Sequence, residues 1–422
     1  MIREMLSFRG KMVRRGAPAL VSRGSLALWG LFSILIVRAL PTEAYAAYAV
    51  ARSIQIFAMM LGGGFVMQAV VKHVAEGDTR RERRFTNAAI VLALGIAGLI
   101  GALLLSLGST LQSFYSDIDL RGIPWAIALL VMTSASASLP HSILQAKQKM
   151  VRMMTADVSS VLVRIAVVGY FLLTESLNSP LQVFGAMILG NIISTAIGGV
   201  FAWPHIEPSL GFDRRELSRL FGFSVVTLGA GLASSIYART DILLLGKLAP
   251  EREVSGYSAC RTLTALADTL NNAAKLVVLP VISRMWTSGR RSEVLHRVMG
   301  AVMVVWLIQL PLVAGFVFFP RRILHFLFEG KYDAAAPVLM ILGILMVFKP
   351  LGSMFGCMSA AVGKPSYALY SVVVSAAVNV GLNIVLIPRY GAVGAALATA
   401  FSVIMGGAAV MVLSLRKLRR EG

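Results

Sequence analysis

"YSACRTLTALADTLNNAAK" (residues 257–275) sets Arg261, Asp268 and Lys275 seven residues apart within apolar surroundings. Two heptads are close to four helical turns, so on a helix all three charges fall near one face. The flanking sequence is apolar enough to cross a membrane, where each such charge costs about 2.5–3.5 kcal/mol at a helix centre. Keeping them there calls for a partner, a water-filled path or a ligand.

The rest of the chain confirms the membrane setting. Of 422 residues, 57% are hydrophobic and 14% charged, and the mean hydropathy is +0.76. A soluble domain carries roughly 25% charged residues. Apolar runs of about 20 residues recur from end to end, the mark of successive transmembrane helices. Twelve spans are expected, at 20–40, 46–71, 87–108, 122–145, 155–174, 181–203, 220–246, 255–283, 298–319, 335–360, 367–388 and 391–415. The fold class is therefore an all-α polytopic membrane protein. The N-terminal "MIREMLSFRGKMVRRG" and the later Ala44-Tyr45-Ala46 resemble parts of a signal peptide. A retained first helix is expected instead, because residues just beyond it belong to an internal repeat.

A net charge of +20 would indicate nucleic-acid binding in a soluble chain; here it follows from basic residues crowding the cytoplasmic loops. With the N-terminus inside, and with Arg23 and Arg38 near the two ends of the first span counted with the loops beside them, the inner loops and both tails hold 26 Lys/Arg against eight outside. "RRERR" (80–84), "DRR" (213–215), "GRR" (289–291) and "RKLRR" (416–420) all fall on the inner side, and an even number of spans places both termini there. Of the 40 basic residues, six remain inside spans beyond Arg23 and Arg38: Arg52, Arg164, Arg239, Arg261, Lys275 and Lys349. Three acids accompany them, Asp157, Asp241 and Asp268, leaving an excess of +3.

An internal repeat groups these charges. "YAVAR" (48–52) and "YSACR" (257–261) lie 209 residues apart, as do Gly185-Ala186 and Gly394-Ala395. Basic loops, "GDTRRERR" and "SGRRSE", follow the second and eighth spans. The pattern predicts two six-helix lobes, 1–210 and 211–422, related by a pseudo-two-fold along the membrane normal. Lobes facing each other would bring Arg52 and Arg261, with Tyr48 and Tyr257 one turn before them, to a common cationic cavity. Arginine's planar fork suits phosphate oxygens, so the expected cargo is an anion, a phosphate or diphosphate. Snorkelling to the interface is the alternative for Arg52, Arg261 and Lys275. Asp268 is too short and too central for that; it is either an ion-pair partner for a base on another helix or a coupling residue.

Other chemistries lack their residues. The sequence has no phosphate-cradling G-x-x-x-x-G-K-[ST] loop, and the glycines of "LGGGF" (61–65) fit close helix packing. The five histidines are scattered, so no metal site is expected, and Cys260 and Cys357 sit within apolar runs. Asp117-Ile-Asp119 superficially resembles the acidic pair of a membrane glycosyltransferase, but the longest outer loop, around 320–334, leaves no room for a catalytic domain.

"ARTDILLLGKLAPEREVSGYSACRTLTALADTLNNAAKLVVLPVISRMW" (238–286) resembles helices seven and eight of oligosaccharide flippases, the polysaccharide-biosynthesis, O-antigen-type exporters of the multidrug/oligosaccharidyl-lipid/polysaccharide superfamily. Asp241, Leu245-Gly246, Gly256-Tyr257-Ser258, Pro280 and Ser283-Arg284 carry the match. "GKPSYALYSVVVSAAVNVGLNIVLIPRYGAVGAALATAFS" (363–402) is similar to helices eleven and twelve through Asn379, Asn383, Pro388, Gly391, Gly394 and Ala395-Ala396. In the N-terminal half "AYAVARSI" carries it.

The resemblance implies a V-shaped pair of lobes opening alternately to each side. It also implies transfer of a polyprenyl-diphosphate-linked oligosaccharide, an exopolysaccharide or O-antigen-type repeat unit, across the inner (cytoplasmic) membrane. A polymerase and glycosyltransferases of the same pathway are the implied partners. The lipid II flippase branch uses arginines at the positions of Arg52 and Arg261 for diphosphate, but it usually has fourteen helices, where twelve are expected here. Arg52, Arg261, Lys275, Tyr48, Tyr257 and Arg239 are the expected cargo contacts. Asp241 and Asp268 are candidates for proton or sodium coupling, since a desolvated carboxylate can titrate near neutrality; no other cofactor is expected. The alternatives are a cation-coupled multidrug antiporter of the same superfamily, which would line its cavity with acids and aromatics, a membrane glycosyltransferase or polymerase, and a scaffold without transport activity.

Overall fold

The computed structural model describes residues 28–64, 79–206 and 214–421, with positions 21, 24, 25, 66, 67, 70 and 71. Among them the regular structure is all helical, with no strand. Among the described residues nine helices are long and apolar enough to cross a membrane, and a shorter apolar helix covers Leu28–Ala39. The chain forms two compact units, Met1–Leu232 and Ala233–Gly422.

In the first unit the long helices are α1 (Thr42–Met59), α2 (Thr79–Ser106), α3 (Ile123–Ala146), α4 (Met150–Leu173) and α5 (Pro180–Ala202). α5 shows how the sequence starts a helix. Ser179 accepts from the Leu181 N–H, Gln182 accepts from the Ser179 N–H, and Pro180 occupies the first turn. α3 packs against α2 and α5, and α4 against α5. Small residues set the spacing, as expected where lipid supplies no hydrophobic drive between helices. A Cβ on Gly62 would come within 2.7 Å of Val131, and one on Gly198 within 3.2 Å of Pro140. The "LGGGF" glycines thus begin in a close contact, inside a π-helical turn, Met60–Gly64, that ends α1. Phe65, at its end, lies outside the described residues.

The second unit holds the C-terminal part of α6 (Arg214–Leu248), then α7 (Glu251–Thr287), α8 (Ser292–Phe318), α9 (Ala336–Ala361) and α10 (Pro365–Glu421). α9 packs against α7, α8 and α10. Its core includes Val298, Val302, Met354, Phe355 and Met358. α10 is two helices in one: Gly391 takes φ 54°, ψ −132°, at the point where the sequence ends one span and begins the next. Glu253, in the first turn of α7, accepts the Ala392 N–H at 2.9 Å and so caps the second half.

One region departs from expectation. Residues 320–334 read as an outer loop, yet Pro320–Phe328 is a helix, followed by a 3₁₀ turn at Asp333–Ala335. Nine residues with two arginines carry too short an apolar pattern to be recognised as a helix from sequence alone. The signal-peptide question and part of the first span and basic loops fall outside the described residues.

Candidate functional site

α6 and α7 form a hairpin about Ala249 and Pro250, which puts Asp241 and Tyr257 at matching distances from the turn, eight residues on each side of Ala249. The Tyr257 phenol donates to Asp241 Oδ2, and both side chains are sealed, at 0% and 1% exposure. The Ile242 N–H donates to Asp241 Oδ1 at 2.8 Å. Arg261, one turn beyond Tyr257, brings Nε to 3.8 Å from the same carboxylate and donates through Nη2 to the Ala238 carbonyl at 3.2 Å. A buried charge is tolerable only when paired and hydrogen-bonded, and Asp241 meets both conditions.

The network continues into α10. Thr399 Oγ1 lies 3.2 Å from the Tyr257 hydroxyl and accepts from Asn379 Nδ2 at 3.4 Å. Asn383 Nδ2 in turn donates to Asn379 Oδ1 at 2.9 Å, while Asn383 Oδ1 is buried without a hydrogen-bond partner among the described residues. A directed chain, Asn383 to Asn379 to Thr399 to Tyr257 to Asp241, therefore ends on a carboxylate beside a guanidinium. Asp241, Tyr257 and Arg261 are legible in the sequence as site residues, Asn379 and Asn383 only as marks of resemblance, and Thr399 not at all. The four-residue spacing of two asparagines in an apolar run was the available signal.

Arg261, Asp268 and Lys275 lie on one helix as expected, yet each meets a different partner. Lys349 on α9 holds Asp268 through both oxygens, at 2.8 and 3.0 Å, with the Asp268 side chain 42% exposed. Lys275 Nζ donates to Asn272 Oδ1 at 3.2 Å. Gln309 on α8 and Asn271 both donate to the Ala267 carbonyl, and each leaves its amide oxygen buried with no partner among the described residues. Arg239 is half-buried on α6.

In the first unit Tyr48 packs its ring on Phe184, with centroids 5.4 Å apart, and on Tyr45 at 6.1 Å. Arg52, one turn on, hydrogen-bonds the neutral amide of Gln55. The Tyr–x–x–x–Arg step is therefore repeated in sequence and not in environment. Subtracting 209 from Asp241 leads to Phe32, so this half has no carboxylate at that position. Arg164, which the sequence shows only as one of six basic residues in the spans, donates to Asn191 Oδ1 at 2.8 Å and lies 6.0 Å from the Trp29 ring. Asn191 passes its own N–H groups to Ser134 and Thr133 on α3, at 2.9 and 3.3 Å. His141 and Asp157 pair at 3.2 Å.

The acidic pair of the 117–119 loop is locally engaged. Arg121 donates to both Asp119 oxygens, at 3.0 and 3.1 Å, and these bonds hold the Asp119 carboxyl below the usual carboxylate range. Among the described residues no three His, Cys, Asp or Glu side chains are grouped as metal ligands.

Residues 35–337 match the family described as "Polysaccharide biosynthesis protein". The probable low-salt glycan biosynthesis flippase of Haloferax volcanii is 23% identical over 337 residues, 79% of this chain and 68% of that protein. Among solved structures, the lipid II flippase in an inward closed conformation superposes with a TM-score of 0.74 at 15% identity, over 97% of this chain and 92% of its own. An inward-facing multidrug resistance MATE family transporter of the MOP superfamily gives 0.72 at 14% identity, over 96% and 95%. The fold is shared with both a flippase and a drug transporter, so it does not choose between cargoes.

Proposed function

This chain belongs to the polysaccharide biosynthesis protein family, and from that premise we propose that it is a flippase for a lipid-linked, anionic glycan. The cargo would be a polyprenyl-diphosphate-linked oligosaccharide carried from the cytoplasmic to the outer leaflet of a bacterial-type inner membrane. Its diphosphate and sugars would pass through a cationic central cavity while the polyprenyl tail stays in lipid. Twelve helices in two six-helix lobes would open that path alternately to each side. A polymerase and glycosyltransferases of the same pathway would supply and consume the cargo.

The observation that carries this proposal is the state of the two repeated arginines. Among the described residues the hydrogen-bond partner of Arg52 is the neutral amide of Gln55. Arg261 stands 3.8 Å from its carboxylate, beyond hydrogen-bonding distance. Each guanidinium keeps donors for a phosphate, which it can meet with a bidentate pair of short charge-assisted bonds. Lys275, Arg239 and Tyr48 would complete the contacts, while Tyr257, sealed on Asp241, would hold that carboxylate beside Arg261. The same geometry supports coupling: a diphosphate on Arg261 competes with Asp241, and a proton or sodium ion on Asp241 would release the arginine to the cargo. Asp268 would take part through the charge it shares with Lys349.

Headgroup transport into proteoliposomes, with Arg52→Ala and Arg261→Ala at normal expression, is the test. Removing one phosphate-holding arginine is expected to slow transport about tenfold or more, since charge-assisted contacts contribute about 1.5–3 kcal/mol each. Wild-type rates in both variants would sink the proposal. Cation-coupled efflux of a drug by the wild type, with no glycan transport, would favour the antiporter instead.

A further inference from the structure

The helix Pro320–Phe328 lies between the end of one membrane-crossing helix, Ser292–Phe318, and the start of the next, Asp333–Ala361. In a chain that crosses a bilayer, the connection between two such helices is expected where lipid meets water. One side of the helix is fixed to the protein. Leu324 and Phe328, four residues apart, are fully buried, and the Phe328 ring meets buried Tyr332 edge-on with centroids 5.4 Å apart.

The other side is exposed and mixed in character. Phe319, Arg322 and Phe326 follow one another at helical spacing, with Phe326 81% exposed. Arg322 lies over the Phe319 ring at 5.6 Å. Beside them Arg321 keeps a side chain 79% exposed. Its Nε is 3.7 Å from Asp333, whose same oxygen is 3.0 Å from His325 Nδ1. Together with Phe318 these groups line an open cavity of about 690 Å³. One carboxylate serves Arg321 and His325 together, while Arg322 faces an aromatic ring, so the lining holds more cation than anion.

Three exposed phenylalanines around two arginines are poorly placed for water and well placed for a membrane surface. Aromatic side chains settle at the acyl boundary, and arginines beside them meet phosphate oxygens at headgroup depth. We propose that Pro320–Phe328 is an interfacial helix whose Arg321 and Arg322 hold the phosphate of an anionic phospholipid. Phe318, Phe319 and Phe326 seat in the adjoining acyl chains. The site takes bulk membrane lipid and is independent of the transported cargo.

Native mass spectrometry of the detergent-solubilised full chain, offered phosphatidylglycerol or phosphatidylcholine of equal acyl length, tests this. The wild type should retain phosphatidylglycerol in preference. Arg321→Gln with Arg322→Gln should lower its affinity about tenfold or more while changing phosphatidylcholine little, because each basic residue near an anionic surface contributes about 1 kcal/mol. Arg322→Gln alone, altering only an exposed side chain, should give a smaller loss in the same direction. Phe326→Ser should weaken retention of both lipids. Excess inorganic phosphate should leave retention unchanged, since it offers nothing to the phenyl rings. An unchanged lipid preference in the arginine variants, or displacement of lipid by free phosphate, overturns the proposal.

Discussion

At the scale of single residues, the charges inside the spans sort by what they touch. Lys349 binds both oxygens of Asp268, yet that carboxylate remains 42% exposed, so water tempers the pair. Lys349→Met should therefore destabilise the protein by about 1–3 kcal/mol, less than the roughly 3–5 kcal/mol of breaking a fully buried pair. Adding Asp268→Asn removes the orphaned carboxylate and should restore most of that loss, which denaturant unfolding in detergent would measure as a double-mutant cycle. An additive pair of losses would show that the contact is not what stabilises these residues. The charged members of the site were legible because any Arg, Asp or Lys stands out within an apolar run. Their partners were not: Lys349 is 81 positions from Asp268 and Thr399 is 142 from Tyr257, separations set by packing that no local pattern records.

At the scale of elements, the helices follow the apolar runs because membrane backbone must satisfy its own hydrogen bonds. Breaks in that rule are the informative points. Gly391 supplies a backbone conformation that side-chain-bearing residues rarely adopt, and a Cβ there would also approach Glu253 Oε2 to 2.9 Å. Gly391→Ala should cost about 1–3 kcal/mol through strain at positive φ. It should also loosen the Glu253 cap on Ala392, visible as a lower melting temperature and faster amide exchange in the second half of α10. Wild-type exchange there would show that the break is not held by this glycine. The apolar runs separate spans 367–388 and 391–415 at that break, with Pro388 and Gly391 noted as marks of resemblance. They gave no warning of Pro320–Phe328, whose helical face is legible only when Leu324 and Phe328 are seen buried together.

At the scale of the whole molecule, the uneven spread of basic residues supports the orientation we propose. Positive charge is retained on the cytoplasmic side during insertion, and short loops obey the rule best. The inner loops and tails would hold 26 Lys/Arg against eight, so reversing the chain would mean translocating most of its positive charge. Both termini should then be cytoplasmic and Pro320–Phe328 external. A green fluorescent protein fused after Gly422 should fluoresce, and alkaline phosphatase fused there should be inactive. Phosphatase fused after Gly330, in the outer loop, should be active. The helix Pro320–Phe328 makes this second fusion the sharper one, because the site also determines which leaflet supplies the lipid held by Arg321 and Arg322. An active phosphatase after Gly422 would reverse the orientation. It would move that lipid to the cytoplasmic leaflet, and it would require the glycan's proposed route from Arg261 to be drawn in the opposite direction.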